Sequence, residues 1–249
     1  MINNYSIINI HEKKNKFSKL SSQMIYGEKF KIQKKYKKWL KIKTSYDNYK
    51  GYIEKKEFKK NLKPTHKIKI LKSHVYKKNK NLKFIKTNQY LPFASKIQIL
   101  NKNKNFSAYE KNCWIKTKDL TKIKSLEKNF TKISKIFLNT KYKWGGKTFK
   151  GIDCSALLQI FFQFNNISIP RDSKDQVEFF RKNIKTNNFK KGNLIFWKGH
   201  IAICLNKNFL IHAYGPKKRV VIMKISRTIE EIKNNAKLKK IKIKKINDF

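Results

Sequence analysis

A chain of 249 residues is long enough for a full hydrophobic core, built as one large domain or two to three small ones. Its 62 basic and 15 acidic residues give a formal charge of +47, yet 39% hydrophobic and 13% aromatic residues recurring in periodic runs exclude a disordered chain. Only Arg171, Arg181, Arg219 and Arg227 are arginines and the lysines spread over every segment, so a specific nucleic-acid reader, which concentrates charge and uses arginine forks, is not expected; salt-sensitive attraction to polyanions is.

Up to about Leu120 the chain consists of short runs with period-two alternation, separated by Lys/Asn turns: KFKI (29–32), WLKIKT (39–44), GYIEK (51–55), HKIKIL (66–71), KIQIL (96–100) and CWIKTKDL (113–120). Such runs predict half-buried strands, and their brevity predicts small barrels. A weak internal echo, YGEKFKI then WLKIKT against LPFASKIQIL then CWIKTKDL, with Pro64 punctuating the middle, favours two copies over the alternative of one larger β domain. From Lys122 the period changes. IKSLEKNFTKISKIFL (123–138) places Ile123, Leu126, Phe130, Ile133 and Phe137 at helical spacing. A YKWGG turn follows, then an apolar helix opening near Cys154, and then RDSKDQVEFFRK, a short helix with Asp172 as its N-cap. Strands NLIFW (193–197), HIAICL (200–205), FLIHAY (209–214) and RVVIMKI (219–225) come next, with Asn206-Lys207-Asn208 as a hairpin turn between the second and third. The tail from Lys237 alternates lysine with apolar residues, as a solvated segment or a frayed edge strand would. The expected division is 1–60, 61–120 and 121–249, in an α+β chain.

Three cysteines, Cys113, Cys154 and Cys204, form no disulfide framework, which fits a reducing compartment. The first residues lack a basic head followed by an apolar run, and no stretch approaches the roughly 18 apolar residues of a membrane span, so a cytoplasmic protein is expected.

The chemistry concentrates around Cys154. A cysteine at a helix start meets unpaired N–H groups and a dipole that favour the thiolate, although Asp153, the expected cap, opposes this by its charge. Cys113 and Cys204 read as packing residues. His200 and His212 lie twelve residues apart about the hairpin turn, so antiparallel pairing brings both near one end of neighbouring strands. One imidazole can then act as base toward the thiol while the other orients it. Zinc held by Cys154, His200 and His212 is disfavoured, because no close ligand pair or further acid accompanies them. No metal or organic cofactor is expected, and there is no phosphate-binding loop.

YKWGG, GIDCSALLQ, PRDSKDQ, GNLIFW, GHIAI and LIHA occur in this order over residues 130 to 225, and together they resemble the NlpC-type cysteine peptidases, a papain-related group that cuts cell-wall peptides. The N-terminal runs, with YGEKF and YKGYI, more loosely resemble the bacterial SH3-like domains of its intracellular recycling members. The resemblance implies a papain-like NlpC-type catalytic domain behind two SH3-like β-barrels. It also implies hydrolysis after γ-D-Glu and before the diamino acid of a murein peptide with a free N-terminal L-Ala, in cell-wall recycling or remodelling. Cys154 is then the nucleophile, His200 the base and His212 the orienting residue, with Tyr142 and the Cys154 N–H at the oxyanion. Asp153 and Ser155 would bind the substrate's amine and backbone, and Glu28 and Tyr49 would close the pocket over the amine. Ala156, Asn193 and Lys141 depart from the usual Gly, Asp and Pro without removing a reacting group. The expected partner is a murein peptide and the expected state a monomer. Competing readings are a non-catalytic cell-wall peptide-binding protein and, on charge alone, a nucleic-acid binder.

Overall fold

A computed structural model describes residues 1–184, 188–236 and 240–246, and the chain divides into two compact units, 1–126 and 127–249. The first is built from strands β1 (Ile7–His11), β2 (Leu20–Ile25), β3 (Phe30–Lys35), β4 (Trp39–Thr44), β5 (Lys50–Glu54), β6 (His66–Ile68), β7 (Lys72–Lys78), β8 (Phe84–Pro92), β9 (Lys96–Ile97), β10 (Asn101–Lys102), β11 (Phe106–Glu110), β12 (Cys113–Lys116) and β13 (Leu120–Lys122). They form antiparallel sheets in the orders β2-β1-β5-β4-β3, β10-β11-β12-β7-β8 and β13-β6-β9. No ladder joins β2 to β3 among the described residues, so the first sheet is not closed by strand pairing.

β4 realises the alternation of WLKIKT: Leu40, Ile42 and Thr44 are buried, while Trp39, Lys41 and Lys43 are only half-buried. Leu40 and Ile42 meet Ile10, Met24, Phe30 and Ile53 in one core. β2, LSSQMI, lacks the period-two alternation because it buries Ser22 and Gln23 next to Met24 and Ile25, Gln23 donating to Asn9 Oδ1 at 2.9 Å. The internal echo holds at one turn. Gly27 and Ala94, at matching places of the two copies, both take positive φ (85° and 64°). It fails in the pairing, since β3 pairs with β4 whereas β9 pairs with β6 and β12 with β11 and β7. Two-residue β9 is too short to carry the second-copy ladder.

Residues of the two segments meet at that turn. Tyr26 packs with Ile68, Val75, Ile97 and Ile115, and its carbonyl accepts from the Lys96 N–H at 3.0 Å. A Cβ at Gly27 would collide with the Lys96 carbonyl, on top of the cost of a left-handed backbone. Gly27→Ala is therefore expected to cost more stability in urea melts than Gly199→Ala, whose φ is similar (78°) but whose Cβ meets nothing within 4 Å. Equal losses would remove the steric argument.

The second unit contains α1 (Phe130–Ile136), β14 (Lys147–Thr148), β15 (Gly151–Ile152), α2 (Cys154–Phe164), α3 (Ser173–Phe179), β16 (Asn193–Trp197), β17 (His200–Cys204), β18 (Phe209–Tyr214), β19 (Arg219–Lys224), α4 (Ile225–Ala236) and β20 (Lys240–Lys245). β16 to β20 form one antiparallel sheet, ordered β19-β18-β17-β16-β20. α2 packs on β17 and β18, and all its residues are buried, as its nearly unbroken apolar run requires. All of β16 is buried too.

α1 is shorter than the periodicity of 123–138 predicts, and Leu126 is 55% exposed. The preceding backbone is engaged elsewhere. Lys67 Nζ donates to the Ser125 carbonyl, and the Asn165 amide grips Glu127 in both directions, accepting from its N–H at 2.8 Å and donating to its carbonyl at 3.1 Å. Bound that way, the Ser125 and Glu127 carbonyls are occupied before a helix could use them. α4 was not anticipated. Its Ile225, Ile229 and Ile232 nevertheless recur at helical spacing and pack against Trp197, Leu210 and Ile243. Of the alternating tail, 237–239 and 247–249 lie outside the described residues, and 240–245 is an edge strand on β16.

Candidate active site

The DCS step forms the mouth of α2. Asp153 is its N-cap, accepting from the Ala156 N–H at 2.8 Å, which leaves Cys154 as the first helical residue. What the sequence did not reveal is how much else that carboxylate carries. Arg171, with a side chain 1% exposed, forks onto it through Nη2–Oδ2 at 2.6 Å and Nη1–Oδ1 at 3.0 Å. The Gly145 N–H donates to Oδ2 at 2.8 Å and the Ser155 hydroxyl to Oδ1 at 3.1 Å. Arg171 also donates to Ser155 Oγ at 2.8 Å. Asp153 and Ser155, expected at the substrate's amine and backbone, are thus already bound to one buried guanidinium.

Arg171 and Gln176 are the residues that reading the sequence missed, though both stand in PRDSKDQ. Gln176 Nε2 donates to the carbonyls of Ser155 (3.1 Å) and Pro170 (2.9 Å), tying the start of α2 to the segment before α3. The usable signal was rarity: among so many lysines, an arginine implies a bidentate role that a point charge cannot fill. Asp172 occupies the N-cap position of α3 but makes no cap hydrogen bond. Burial raises its pKa, against the nearby Arg171.

Cys154 is 7% exposed, and the Ile201 N–H, one residue beyond His200, faces its sulfur. Burial, and then the Asp153 charge, push the thiol up to about 12; the N–H groups of Ile201 and Ser155 and the Arg171 charge pull the other way without prevailing. Desolvation thus opposes the thiolate at this helix start.

The two histidines do meet. The Asn206 side chain accepts from the N–H groups of Asn208 and Phe209, both at 2.8 Å, and folds the hairpin at the expected turn. The register then pairs Ile203 with Ile211, so His200 and His212 lie diagonally across the ladder with His200 Nε2 2.9 Å from His212 Nδ1. Tyr214 stacks on His212 (4.6 Å between centroids, 12° between planes), and Trp197 leans on His200 at 5.7 Å. Burial lowers His200 to about 4, and burial with the His200 neighbour holds His212 well below the usual histidine range. Near neutral pH the site holds a thiol and two uncharged imidazoles.

Tyr142 has its N–H on the Lys218 carbonyl at 2.8 Å and its ring beside Gly215. Burial, then Cys154 and Asp153, raise its phenol pKa, keeping the hydroxyl a donor. Glu28 and Tyr49 belong to the first unit. Glu28 is buried with its charge near Lys96, and Tyr49 packs on the first core, its backbone N–H donating to Thr44 Oγ1 at 2.8 Å. Of the three departures noted in the sequence, Ala156 is fully buried in the first turn of α2 and Asn193 accepts from the Lys190 N–H at 2.8 Å. The Lys141 backbone forms an isolated antiparallel β-bridge with that of Arg219. No group of three or more His, Cys, Asp or Glu side chains suited to a metal occurs among the described residues, and no helix among them is long and apolar enough to cross a membrane.

Comparison with known proteins places these features in a family. The NlpC/P60 family model matches residues 139–237, and the bacterial dipeptidyl-peptidase SH3 domain model matches 14–58. Dipeptidyl-peptidase 6 of Lysinibacillus sphaericus is 34% identical over 89 residues, covering 36% of this chain and 33% of that protein. The γ-D-glutamyl-L-lysine dipeptidyl-peptidase of Bacillus subtilis is 32% identical over 103 residues, covering 38% and 34%. The chain thus spans about a third of the length of each of these two relatives. The Bacillus cereus protein of the same name is 24% identical over 247 residues, covering 84% of this chain and 72% of that one. A crystal structure of an NlpC/P60 family protein from Bacillus cereus shares the fold, with a TM-score of 0.81 over 98% of both chains at 17% identity. The α+β chain therefore carries an NlpC/P60-family domain, holding Cys154, His200 and His212, behind a bacterial dipeptidyl-peptidase SH3 domain.

Proposed function

We propose that this protein is a cysteine peptidase that hydrolyses the bond between γ-D-Glu and the diamino acid of murein peptides with a free N-terminal L-Ala, in the recycling or remodelling of cell wall. The observation that carries the reading is the imidazole pair at 2.9 Å beside the strand start whose N–H meets the Cys154 sulfur. Relatives named as dipeptidyl-peptidases support the substrate class.

In this mechanism His200 takes the thiol proton as the Cys154 sulfur attacks the γ-D-Glu carbonyl. His200 returns that proton to the departing amine, and then draws one from the water that releases the acyl-enzyme. The Cys154 N–H and the Tyr142 hydroxyl receive the oxyanion. Asp153 and Ser155 shape the wall at the amine. A neutral thiol–imidazole pair reacts only while His200 is uncharged. The acid limb of kcat/KM is therefore expected with a midpoint below 6.5, and activity is lost as pH falls through it. A limb at or above 6.5 would contradict the buried, neutral His200.

The deciding experiment incubates the purified chain with L-Ala-γ-D-Glu-diamino acid tri- and tetrapeptides and identifies products by mass. Release of L-Ala-γ-D-Glu is the expected outcome. Peptide binding without cleavage would defeat the hydrolase reading in favour of a cell-wall peptide binder.

A further inference from the structure

His212 has two ring nitrogens and a distinct neighbour at each. Nδ1 lies 2.9 Å from His200 Nε2, and Nε2 lies 3.3 Å from the thioether sulfur of Met223 on β19. The β18–β19 ladder sets this up, because His212 pairs with Val221 and Met223 sits two residues on, on the same side of the strand. Met223 is half-buried and packs against the core formed by Trp197, Leu210 and Ile225.

A thioether has no proton, so a hydrogen bond between Met223 and His212 can run only from imidazole N–H to sulfur. That places the His212 proton on Nε2. A neutral His212 then has a bare Nδ1, which accepts, so His200 must donate from Nε2. A neutral His200 that donates from Nε2 has its lone pair at Nδ1. The opposite arrangement sets the His212 Nε2 lone pair against sulfur lone pairs and moves the His200 proton to Nδ1, leaving His200 no base there.

We propose that Met223 is a positioning residue that selects the tautomers of both imidazoles, so that His200 Nδ1 is kept as the basic nitrogen of the site. The proposal rests on the cysteine peptidase reading for its catalytic consequence but not for its tautomer assignment. Sulfur suits the task because it accepts a proton donor without bringing charge. A carboxylate in that place would favour a charged His212 and disturb a pair held neutral by burial.

The test is nitrogen-15 NMR of the histidine rings, with kcat and KM for the tripeptide, in the wild type, Met223→Leu and Met223→Gln. Leucine fills similar volume without an acceptor, and glutamine restores one through its amide oxygen. Wild type is expected to show His212 protonated at Nε2 alone. Met223→Leu should mix the tautomers and lower kcat by about two- to tenfold, the span of one modest hydrogen bond, at unchanged KM. Met223→Gln should recover both. A wild-type His212 protonated at Nδ1, or a Met223→Leu protein with the wild-type nitrogen pattern, would overturn the proposal. Because the spectra need no substrate, they decide it even if the tripeptide is not cleaved, an outcome that would instead count against the peptidase reading.

Discussion

Cys154→Ala is expected to reduce hydrolysis of the L-Ala-γ-D-Glu-diamino acid peptide on the order of 10⁴-fold or more, since removing a nucleophile disables the whole catalytic unit. The variant should fold. Cys154 lies at the helix mouth, and Asp153 still caps Ala156 and pairs with Arg171, none of which involves the thiol. Thermal unfolding within a few degrees of wild type, with product formation at the uncatalysed level, is the joint result that supports the assignment. Cys113→Ala and Cys204→Ala serve as controls that should retain activity. Cys204 is packed among Ala202, Leu210 and Ile225, and burial alone drives its thiol up to about 12. Full activity in Cys154→Ala would end the nucleophile assignment.

The second large effect concerns stability. Arg171→Met leaves the Asp153 carboxylate, 6% exposed, without its countercharge and removes the donor that holds Ser155. Breaking a buried pair from one side costs about 3–5 kcal/mol, or roughly 10–25 °C in a domain of this size. Arg171→Lys should recover little, because one ammonium cannot reach Oδ1, Oδ2 and Ser155 Oγ in the plane that the guanidinium spans. Asp153→Asn combined with Arg171→Met should recover part of the loss, since asparagine still caps a helix and no charge remains unpaired. Melting curves of the three variants check this order. Wild-type stability in Arg171→Lys would mean that the fork contributes no more than a point charge does.

The elements readable in advance share a property. β4, β16 and β18 match the runs read from the sequence because each is a local pattern of apolar residues ended by turn formers, which needs no knowledge of partners. The start of α2 was equally legible, since Asp153 before an apolar run is a cap signal. Legibility failed where a distant group intervened. α1 loses its first turns to Asn165 and Lys67, and β2 hides two polar residues whose surroundings come from other strands. In α4 the polar and charged residues between its three isoleucines hide the period.

Within the site the same division applies. A cysteine at a helix mouth and two histidines twelve residues apart about an Asn turn are one-dimensional facts that nominate Cys154, His200 and His212, whereas Tyr142 enters only through the family resemblance. The chain alone could not indicate that Asp153 is bound to Arg171, that burial keeps thiol and imidazoles uncharged at rest, or that a thioether from the next strand meets His212. Those are outcomes of desolvation and of contacts between separate elements, and both come into being only when the helix and the sheet close over the same few atoms.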